Sequence, residues 1–394
     1  MKVILSVMGS GGDVDPALGL GKELQKRGHE ATVITHFPFK EKVERAGLKF
    51  VAVDSQEQYD ATLHDPGMMT KERLLKHLSS YVHTYLKPFY EKIAEQYVPG
   101  ETFLVNGLPL GGKLAFDKFQ MPMATLHLSP FAFLDLDQEL VDKLDEYFGP
   151  FINEYRSELG LGPIKGIFDG WCVSPQLVLG LFPEWFAGDI KRPPHTILTG
   201  FPLYDVKEAV TIPPELETFL QAGDPPILFT FGTAMHHIED LLQECVKTCQ
   251  QLGRRGMLLT QFEEQVPSDL PETVRHFKFI PFSAVFPKTA AVVHHGGIGT
   301  LSQALVAEVP QMVVPFAFDQ PSNGAILKDL GIADVLLPQE FKGETAAAKL
   351  KPLLEDPAVI EKCRALGKRM EGMDGLGGAA DAVVELAQRE LARL

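Results

Sequence analysis

Hydrophobic residues in the N-terminal half of this chain fall into short, unbroken runs that are separated by segments with helical periodicity. The runs lie at residues 3–8, 30–37, 48–53, 102–107 and 122–129. A run of this length without polar alternation is typical of a strand buried on both faces, as in parallel sheets whose crossover helices cover each side. The pattern therefore predicts a parallel sheet with helices between its strands.

The same alternation restarts in the C-terminal half, with apolar runs at residues 226–232, 256–261, 276–280, 290–295 and 311–316. The segment between the halves is proline-rich and weakly periodic, which is typical of a connection. We predict an α/β fold of two Rossmann-like domains that face each other across a cleft. The predicted parts are an N-terminal domain (1–200), a linker (201–225), a C-terminal domain (226–375) and a last helix (376–394) that packs back on the N-terminal domain.

Composition and charge narrow the classes of function. The 394 residues carry a net charge of −15, which disfavours binding to nucleic acid or to anionic lipid. No stretch approaches the roughly 20 apolar residues of a membrane span, and no small-residue cleavage site follows the first apolar run. We expect a cytoplasmic protein, a monomer or weak dimer, without an integral membrane segment. Any anionic ligand must then be held locally by backbone dipoles.

One segment has the composition of an anion site. Residues 294–300, with the sequence HHGGIGT, follow a predicted strand and open a helix that we expect to begin near Thr300. Glycines leave backbone N–H groups uncovered, and the positive end of the helix dipole points to the same place. His295 and Thr300 can add hydrogen bonds from their side chains. The alternative interpretation is a glycine-rich turn with two histidines packed beneath it.

Three blocks of the sequence resemble the family 1 glycosyltransferases, which have the GT-B fold. They are residues 294–331, GSGGDVDP at 9–16 and FIPFSAVFP at 279–287, whereas the likeness is weak across 55–200. The family includes UDP-glycosyltransferases, sterol glucosyltransferases, glycopeptide-antibiotic glycosyltransferases and the rhamnosyltransferases of rhamnolipid synthesis. The resemblance implies transfer of a hexose from a nucleotide diphosphate sugar (UDP or dTDP) to a hydroxyl of an apolar small-molecule or lipid acceptor.

The resemblance assigns the donor to loop residues of the C-terminal half, namely Gly232, Thr233, Phe279, Ile280, Phe282, His295, Gly297, Gly299, Thr300, Gln303, Asp319 and Gln320. It assigns binding of the diphosphate to the 295–300 turn and, from the opposite side, to Gly232. It assigns binding of the sugar hydroxyls to Asp319 and Gln320. The alternative for Asp319 is a helix N-cap before Pro321.

The donor set departs from the plant members of the family at three positions. Phe279 stands in place of a base-stacking tryptophan, Phe282 in place of a base-reading glutamine, and Gln303 in place of a ribose-binding glutamate. A phenylalanine can still stack on a pyrimidine. The identity of the base, uracil or thymine, is left open.

The first strand is followed by GSGGDVDP at residues 9–16. Val14 stands where a dinucleotide fingerprint needs its third glycine, which disfavours a nicotinamide enzyme. We expect Asp15 to cap a helix whose first residue is Pro16, and Asp13 to lie at the loop tip without such a duty. In the resembled family this loop supplies the general base, which falls on Asp13. The alternative is a local Asx turn made by Asp13.

These assignments predict one direct displacement with inversion at the anomeric carbon. Asp13 accepts the proton of the attacking hydroxyl, and the amides of the 296–300 turn stabilise the departing diphosphate. No cofactor and no metal are expected. Asp135-Leu136-Asp137 has the spacing of a metal motif but lies in a segment that we interpret as acceptor-side helix.

The acceptor is expected to contact His127, Ser129, Phe131 and Phe133 of the N-terminal domain. Aromatic residues at such spacing also build cores, and a lone histidine on an apolar strand has an alternative role as a hydrogen-bonded core residue. Two alternatives to a transferase remain open. They are a GT-B-type nucleotide-sugar epimerase and a non-catalytic nucleotide-sugar-binding partner subunit.

Overall fold

The computed structural model of the chain describes residues 1–63, 71–107, 110–133, 137–204, 213–232, 235 and 237–392. These residues form two compact units: unit 1 comprises Met1–Pro202 with Asp374–Leu394, and unit 2 comprises Leu203–Met373. Each unit is built on one parallel sheet, which confirms the prediction of two Rossmann-like domains.

The strands of unit 1 are β1 (Lys2–Ser6), β2 (Glu30–Thr35), β3 (Lys49–Ala52), β4 (Thr102–Asn106), β5 (Met123–His127), β6 (Leu177–Gly180) and β7 (Thr196–Leu198). Within the described residues they form one sheet in the order β3-β2-β1-β4-β5-β6-β7. Strand β1 pairs with both β2 and β4 in parallel register. The carboxyl ends of β1, β2 and β3 therefore meet at one edge of the sheet.

The helices of unit 1 are α1 (Gly11–Lys26), α2 (Lys40–Arg45), α3 (Gln56–Leu63), α4 (Lys71–Gln96), α5 (Leu110–Phe119), α6 (Gln138–Glu158), α7 (Glu184–Ala187) and the last helix of the chain, described below. One core cluster joins α4, α5 and α6 to the sheet through buried residues such as Phe89, Leu114 and Phe148. Asp137 caps α6 by accepting a hydrogen bond from the N–H of Leu140 (2.8 Å). Asp135 and Leu136 lie outside the described residues.

Helix α1 corrects the prediction of a helix that starts at Pro16. It begins at Gly11, and Pro16 lies inside it. The reason is a capping box, in which Ser10 is the N-cap and Asp13 accepts a hydrogen bond from the Ser10 backbone. Asp15 is therefore not the cap; its carboxylate pairs with Lys42 of α2 instead.

The strands of unit 2 are β8 (Ile227–Thr230), β9 (Gly256–Leu259), β10 (Val274–Phe277), β11 (Ala291–His294), β12 (Gln311–Val313) and β13 (Ala333–Val335). They form a parallel sheet in the order β10-β9-β8-β11-β12-β13 within the described part of the chain. The helices are α8 (Pro214–Gln221), α9 (Glu239–Leu252), α10 (Phe282–Val285), α11 (Ile298–Val306), α12 (Gln320–Asp329), α13 (Gly343–Glu355) and α14 (Pro357–Met370).

Two helices near the boundaries between the units, α8 and the last helix, pack against the core of one unit each. Helix α8 lies within the predicted linker, yet Leu216 and Phe219 are buried in the core of unit 2. Helix α15 (Gly375–Leu391) belongs to unit 1, where Arg27 of α1 donates to the carboxylate of Asp381 (2.7 Å) and to the carbonyl of Gly377 (3.2 Å). Gly375 is packed so closely that a Cβ there would lie 2.3 Å from the carbonyl oxygen of Gly200.

Candidate active site

The carboxylate turn, residues 9–13, connects β1 to α1. The carboxylate oxygen Oδ2 of Asp13 accepts hydrogen bonds from the backbone N–H of Ser10 (2.7 Å) and from the Ser10 hydroxyl (3.3 Å). Gly9 has a φ of +125°, and a Cβ there would lie 2.3 Å from Asp13 Oδ2, so only glycine allows the carboxylate to occupy this place. The expectation that Asp13 lacks a structural duty is therefore wrong.

The capping role leaves Asp13 chemically able to act as a base. A carboxylate offers about four lone-pair sites, and the capping box uses the same oxygen for both bonds to Ser10. The side chain is partly exposed at the carboxyl end of β1. The structure thus places Asp13 in the first helical turn rather than at a free loop tip, with capacity to accept a further proton.

The residues expected to contact the acceptor lie at and after the end of β5. Phe131 is exposed and Phe133 is buried, with its ring centroid 5.2 Å from that of His127. Burial lowers the pKa of His127 to about 4, and no described residue bonds its Nε2. Ser129 is buried and accepts a hydrogen bond from the N–H of Phe131 (3.3 Å).

The glycine turn, residues 294–300, connects β11 to α11. The helix begins at Ile298 with Gly297 as its N-cap, two residues before the predicted start at Thr300. The side chain of His294 is fully buried, and its Nδ1 accepts a hydrogen bond from the N–H of Gly296 (3.0 Å). The sequence pattern predicted that the N–H of Gly296 is available to an anion. In the structure this N–H is hydrogen-bonded within the protein instead.

The hydrogen-bond partners of His294 determine which of its ring nitrogens carries the proton. Because Nδ1 accepts from Gly296, Nε2 carries the proton and donates to Oε1 of Gln311 (2.9 Å). Burial lowers the pKa of His294 to about 3, with the neighbouring His295 acting in the same direction. His294 is therefore a neutral support beneath the turn.

The amides that remain open belong to the first turn of α11. The first N–H groups of a helix have no carbonyl partner within it, and the Gly297 cap contributes no side chain to bond them. A Cβ built on Gly299 would meet no atom within 4 Å, so the approach to these amides is clear. Thr300 is buried, and its N–H donates to the carbonyl of Gly297 (3.1 Å).

His295 lies between two glycines. Its ring would be 3.1 Å from a Cβ on Gly232, which has a φ of +94°, and 2.4 Å from a Cβ on Gly297. Burial lowers the pKa of His295 to about 4, while a hydrogen bond to the backbone of Thr230 opposes that shift. The nitrogen Nδ1 has no partner among the described residues. Thr233, assigned to the same loop, lies outside the described residues.

A second loop, between β12 and α12, is tied to the glycine turn by a residue that the sequence motifs do not single out. The fully buried Asn323 donates to Oδ2 of Asp319 (2.8 Å) and to the carbonyl of Gly296 (2.9 Å). Asp319 occupies the N-cap position of α12 without capping it through its side chain. Gln320 turns its Oε1 to the N–H groups of Phe316 (2.8 Å) and Ala317 (3.2 Å), which leaves its amide nitrogen as a donor.

The residues expected around the nucleotide base differ in how exposed their side chains are. The ring of Phe279 is 49% exposed, as a stacking platform requires. Ile280 is buried in the core, so only its backbone can face a ligand. Phe282 stacks on Phe286 with centroids 4.4 Å apart, and Gln303 is partly exposed on α11. The structure thus brings His295, Gly297, Gly299, Asp319 and Gln320 to neighbouring loops, with Phe279 after β10.

Two kinds of feature are absent from the described residues. No three His, Cys, Asp or Glu side chains lie close enough there to hold one metal ion. No helix in the same part of the chain is both long and apolar enough to cross a bilayer.

Two family models match the chain. Residues 3–94 match the glycosyltransferase family 28 N-terminal domain. Residues 257–373 match the C-terminal domain of proteins like erythromycin biosynthesis protein CIII. The first match contains the carboxylate turn, and the second contains the glycine turn with Asp319 and Asn323.

Two curated relatives align along almost the whole chain. The O-mycaminosyltylonolide 6-deoxyallosyltransferase of Streptomyces fradiae is 28% identical, with 98% of each chain covered. A sterol 3-beta-glucosyltransferase of Arabidopsis thaliana is 25% identical over 97% of this chain, which spans 65% of that protein's length.

Solved structures share the fold. The calicheamicin glycosyltransferase CalG4 superimposes with a TM-score of 0.75 at 20% identity, covering 98% of both chains. The spinosyn forosaminyltransferase SpnP does so with a TM-score of 0.75 at 18% identity, covering 98% of this chain and 99% of that one. The two family matches and the curated relatives support a family 1 glycosyltransferase, and the solved structures show that the chain has the GT-B fold.

Proposed function

We propose that the chain is an inverting, metal-independent glycosyltransferase that moves a hexose from a UDP- or dTDP-sugar to a hydroxyl of an apolar small-molecule or lipid acceptor. The glycine turn carries the proposal, because it combines open helix-start amides with His295 at the carboxyl end of β11. In this proposal unit 2 holds the donor, and unit 1 supplies the base and the acceptor contacts.

The diphosphate is bound by dipoles and one imidazole. The first-turn amides of α11 and the positive helix end stabilise negative charge without a basic surface. At neutral pH His295 is uncharged, since its pKa is about 4. A diphosphate oxygen beside the imidazole favours a second proton on the ring, because an opposite charge at close range raises the pKa of a histidine. Binding of the donor therefore favours the charged form of His295, which stabilises the leaving group.

The sugar is bound by the loop between β12 and α12, which the hydrogen bonds of Asn323 link to the glycine turn. The carboxylate of Asp319 accepts hydrogen bonds from sugar hydroxyls, and the amide nitrogen of Gln320 donates one. Because Asn323 bonds both Asp319 and the carbonyl of Gly296, the diphosphate and sugar contacts are held in one relation. The exposed ring of Phe279 offers the stacking surface for the base.

In the chemical step Asp13 takes the proton of the acceptor hydroxyl as the oxygen attacks the anomeric carbon and the bond to the diphosphate breaks. One displacement inverts the anomeric carbon. Two of the relatives are an O-mycaminosyltylonolide 6-deoxyallosyltransferase and a sterol 3-beta-glucosyltransferase, and these activities support an apolar acceptor. The structure of VinC, similar at a TM-score of 0.72 and 19% identity, is described as a complex with dTDP, which supports testing dTDP-sugars first.

The test is transfer itself. The protein is incubated with dTDP-glucose, dTDP-rhamnose, UDP-glucose and GDP-mannose against a sterol, a macrolide aglycone, a hydroxy fatty acid and a naphthol, and product masses are read. We expect hexose addition with dTDP- or UDP-sugars. Asp13→Asn keeps an acceptor for the Ser10 amide but removes the base, so transfer should fall at least about a hundredfold, while affinity for dTDP or UDP should stay nearly unchanged.

The matched control is Asp356→Asn, the same change at an N-cap, because Asp356 caps α14 by accepting a hydrogen bond from the N–H of Ala358 (2.8 Å) and belongs to neither turn. It should retain full turnover. Turnover of Asp13→Asn within about tenfold of the unaltered chain would show that Asp13 is not the base, since a general base contributes more than that. Release of free epimerised donor without any glycoside would show that the enzyme is an epimerase.

A further inference from the structure

Phe318, in the loop between β12 and α12, has a backbone conformation that phenylalanine rarely adopts. Its φ is +57°, in the left-handed region where a bulky side chain is strained and glycine is not. Asp319 follows with a φ of −77° and a ψ of −14°, and the N–H of Gln320 donates to the carbonyl of Ala317 (3.3 Å). A turn with a positive φ at its first central position is normally built with glycine, asparagine or aspartate there.

The strained turn is held in place by the side chains that follow it. Oε1 of Gln320 accepts hydrogen bonds from the N–H groups of Phe316 (2.8 Å) and Ala317 (3.2 Å). The fully buried Asn323 donates to the carboxylate of Asp319 (2.8 Å). Strained backbone persists where surrounding contacts over-determine it, and such positions cluster at functional sites. The turn therefore indicates that the side chain at its strained position has a function.

The side chain of Phe318 is not a core residue. Phe318 is 45% exposed, whereas the other residues of the segment 314–320 are buried or partly buried. The core contact of this loop is made by Phe316, which packs on the core of unit 2 and lies edge-on to Phe231, with ring centroids 6.2 Å apart. Core packing thus does not account for a phenylalanine at position 318.

Phe318 adjoins the two residues that the proposed function assigns to the sugar. Consecutive Cα atoms are about 3.8 Å apart, so Phe318 and Asp319 occupy the two central positions of one tight turn, and Gln320 closes it. Asp319 and Gln320 offer polar atoms, whereas the phenyl ring offers apolar surface alone. A ligand that contacts all three presents hydroxyls on one side and carbon without a hydroxyl on the other.

The chemistry of a hexose indicates which carbon that is. In a hexopyranose the hydroxyls of C2, C3 and C4 are attached directly to the ring, and C6 is the one carbon outside it. Removal of the 6-hydroxyl converts this carbon into a methyl group and leaves the ring hydroxyls unchanged. A 6-deoxyhexose therefore combines polar groups with an exposed methyl group, as the turn requires.

We propose that Phe318 forms the apolar side of the sugar subsite and selects donors whose hexose lacks the 6-hydroxyl. Asp319 and Gln320 bind ring hydroxyls, and the phenyl ring covers the methyl group at C6. A 6-hydroxyl in the same place would lose water without gaining a hydrogen bond. The inference rests on the proposed function, since it names the class of sugar for the same donor site.

The test compares two donors that differ by one oxygen atom, dTDP-glucose and dTDP-6-deoxyglucose. Calorimetric titration into the full chain gives the affinity of each and that of dTDP alone, and the corresponding UDP compounds are used if UDP binds more tightly than dTDP. We expect the 6-deoxy donor to bind about five- to tenfold more tightly, the range for one hydroxyl left without a partner at a partly exposed site.

Phe318→Gly distinguishes a sugar contact from a structural role. Glycine adopts a positive φ without strain, so the melting temperature should be kept or rise although the ring is removed. The preference for the 6-deoxy donor should disappear, while the affinity for dTDP alone stays within about twofold. A purely structural phenylalanine would instead lower the melting temperature on removal and weaken both sugar donors equally.

The matched control is His195→Gly. His195 is an exposed residue of unit 1 with a φ of +60°, so the change relieves the same kind of strain outside unit 2. The melting temperature should be kept or rise here too, and the preference for the 6-deoxy donor should equal that of the unaltered chain. A preference that stays within about twofold of the original in Phe318→Gly would overturn the inference.

The outcomes separate this inference from the proposed function. If the unaltered chain binds both sugar donors with equal affinity, the donor site stands and the role of Phe318 is refuted. If neither dTDP nor UDP binds, both are refuted. An active Asp13→Asn refutes the base and leaves Phe318 unaffected, because the affinity ratio does not involve the chemical step.

Discussion

The carboxylate turn of unit 1 and the glycine turn of unit 2 are built on the same backbone plan with opposite electrostatics. Each leaves the carboxyl end of a central parallel strand and opens a helix, α1 after β1 and α11 after β11. In the first, Ser10 and Asp13 occupy the helix start in a capping box. In the second, Gly297 is the cap and contributes no side chain.

The difference shows how one fold provides two chemistries. A carboxylate in the first turn satisfies orphan amides and places negative charge at the positive helix end. That arrangement stabilises the helix and repels a phosphate. The bare turn leaves the amides and the dipole available to an anion. One turn therefore suits a proton acceptor, and the other suits a diphosphate.

The most direct test of this difference between the two turns is to add one methyl group to each of them. Gly299→Ala places a Cβ in open space at the start of α11, and Gly12→Ala places one in α1 with only Ser10 Oγ at 3.7 Å. Both changes should keep or slightly raise the melting temperature, since alanine favours helix over glycine. Only Gly299→Ala should weaken binding of dTDP or UDP, about 10- to 100-fold, because the methyl covers the open amides.

Calorimetric titration of dTDP into both folded variants measures this effect. Equal affinities for Gly299→Ala and Gly12→Ala would mean that the first turn of α11 does not contact the diphosphate. A loss confined to Gly12→Ala would reverse the assignment of the two turns.

The histidine beneath the glycine turn should make unit 2 sensitive to acid. The folded pKa of His294 is about 3, against an unfolded value of about 6.5, so the unfolded chain binds the proton more readily. Its contribution to stability is present above about pH 6.5 and is lost as the pH falls toward about 3. Between about pH 6.5 and 5 the loss should be about 2 kcal/mol.

Urea unfolding of the full chain at several pH values measures this loss. His294→Gln should flatten the dependence below about pH 6.5, whereas His83→Gln, which changes an exposed histidine of α4, should not. An unchanged slope in His294→Gln would contradict a buried neutral His294.

The smallest expected effect on donor binding concerns the side-chain amide of Asn323, which links the loop after β12 to the glycine turn. Asn323→Ala removes the hydrogen bonds to Asp319 and to the carbonyl of Gly296, and it should lower nucleotide-sugar affinity about three- to tenfold. Asn153→Ala removes a comparable amide bridge to Ile164 in unit 1 and should leave that affinity unchanged. A parallel loss in both variants would point to a general loss of stability, which a melting curve detects.

Much of this protein follows from its sequence alone. The unbroken apolar runs predicted both parallel sheets, because strands covered on two faces have no polar side. The HHGGIGT turn predicted a helix start after a strand, since glycines and strand periodicity are local signals. The positions of both turns along the chain are therefore local properties of the sequence.

The tertiary structure decided what the individual side chains do. His294 and His295 are adjacent in sequence, yet one is a buried support because Gln311, 17 residues later, meets it across the sheet. Asp13 closes a capping box with Ser10, and here the spacing Ser10-x-x-Asp13 was a local signal that the loop-tip interpretation missed. The partnership of His36 with Asp54 and Tyr81 joins three separate elements. Local patterns determine where strands and helices lie, but long-range packing determines which polar atoms remain available for chemistry.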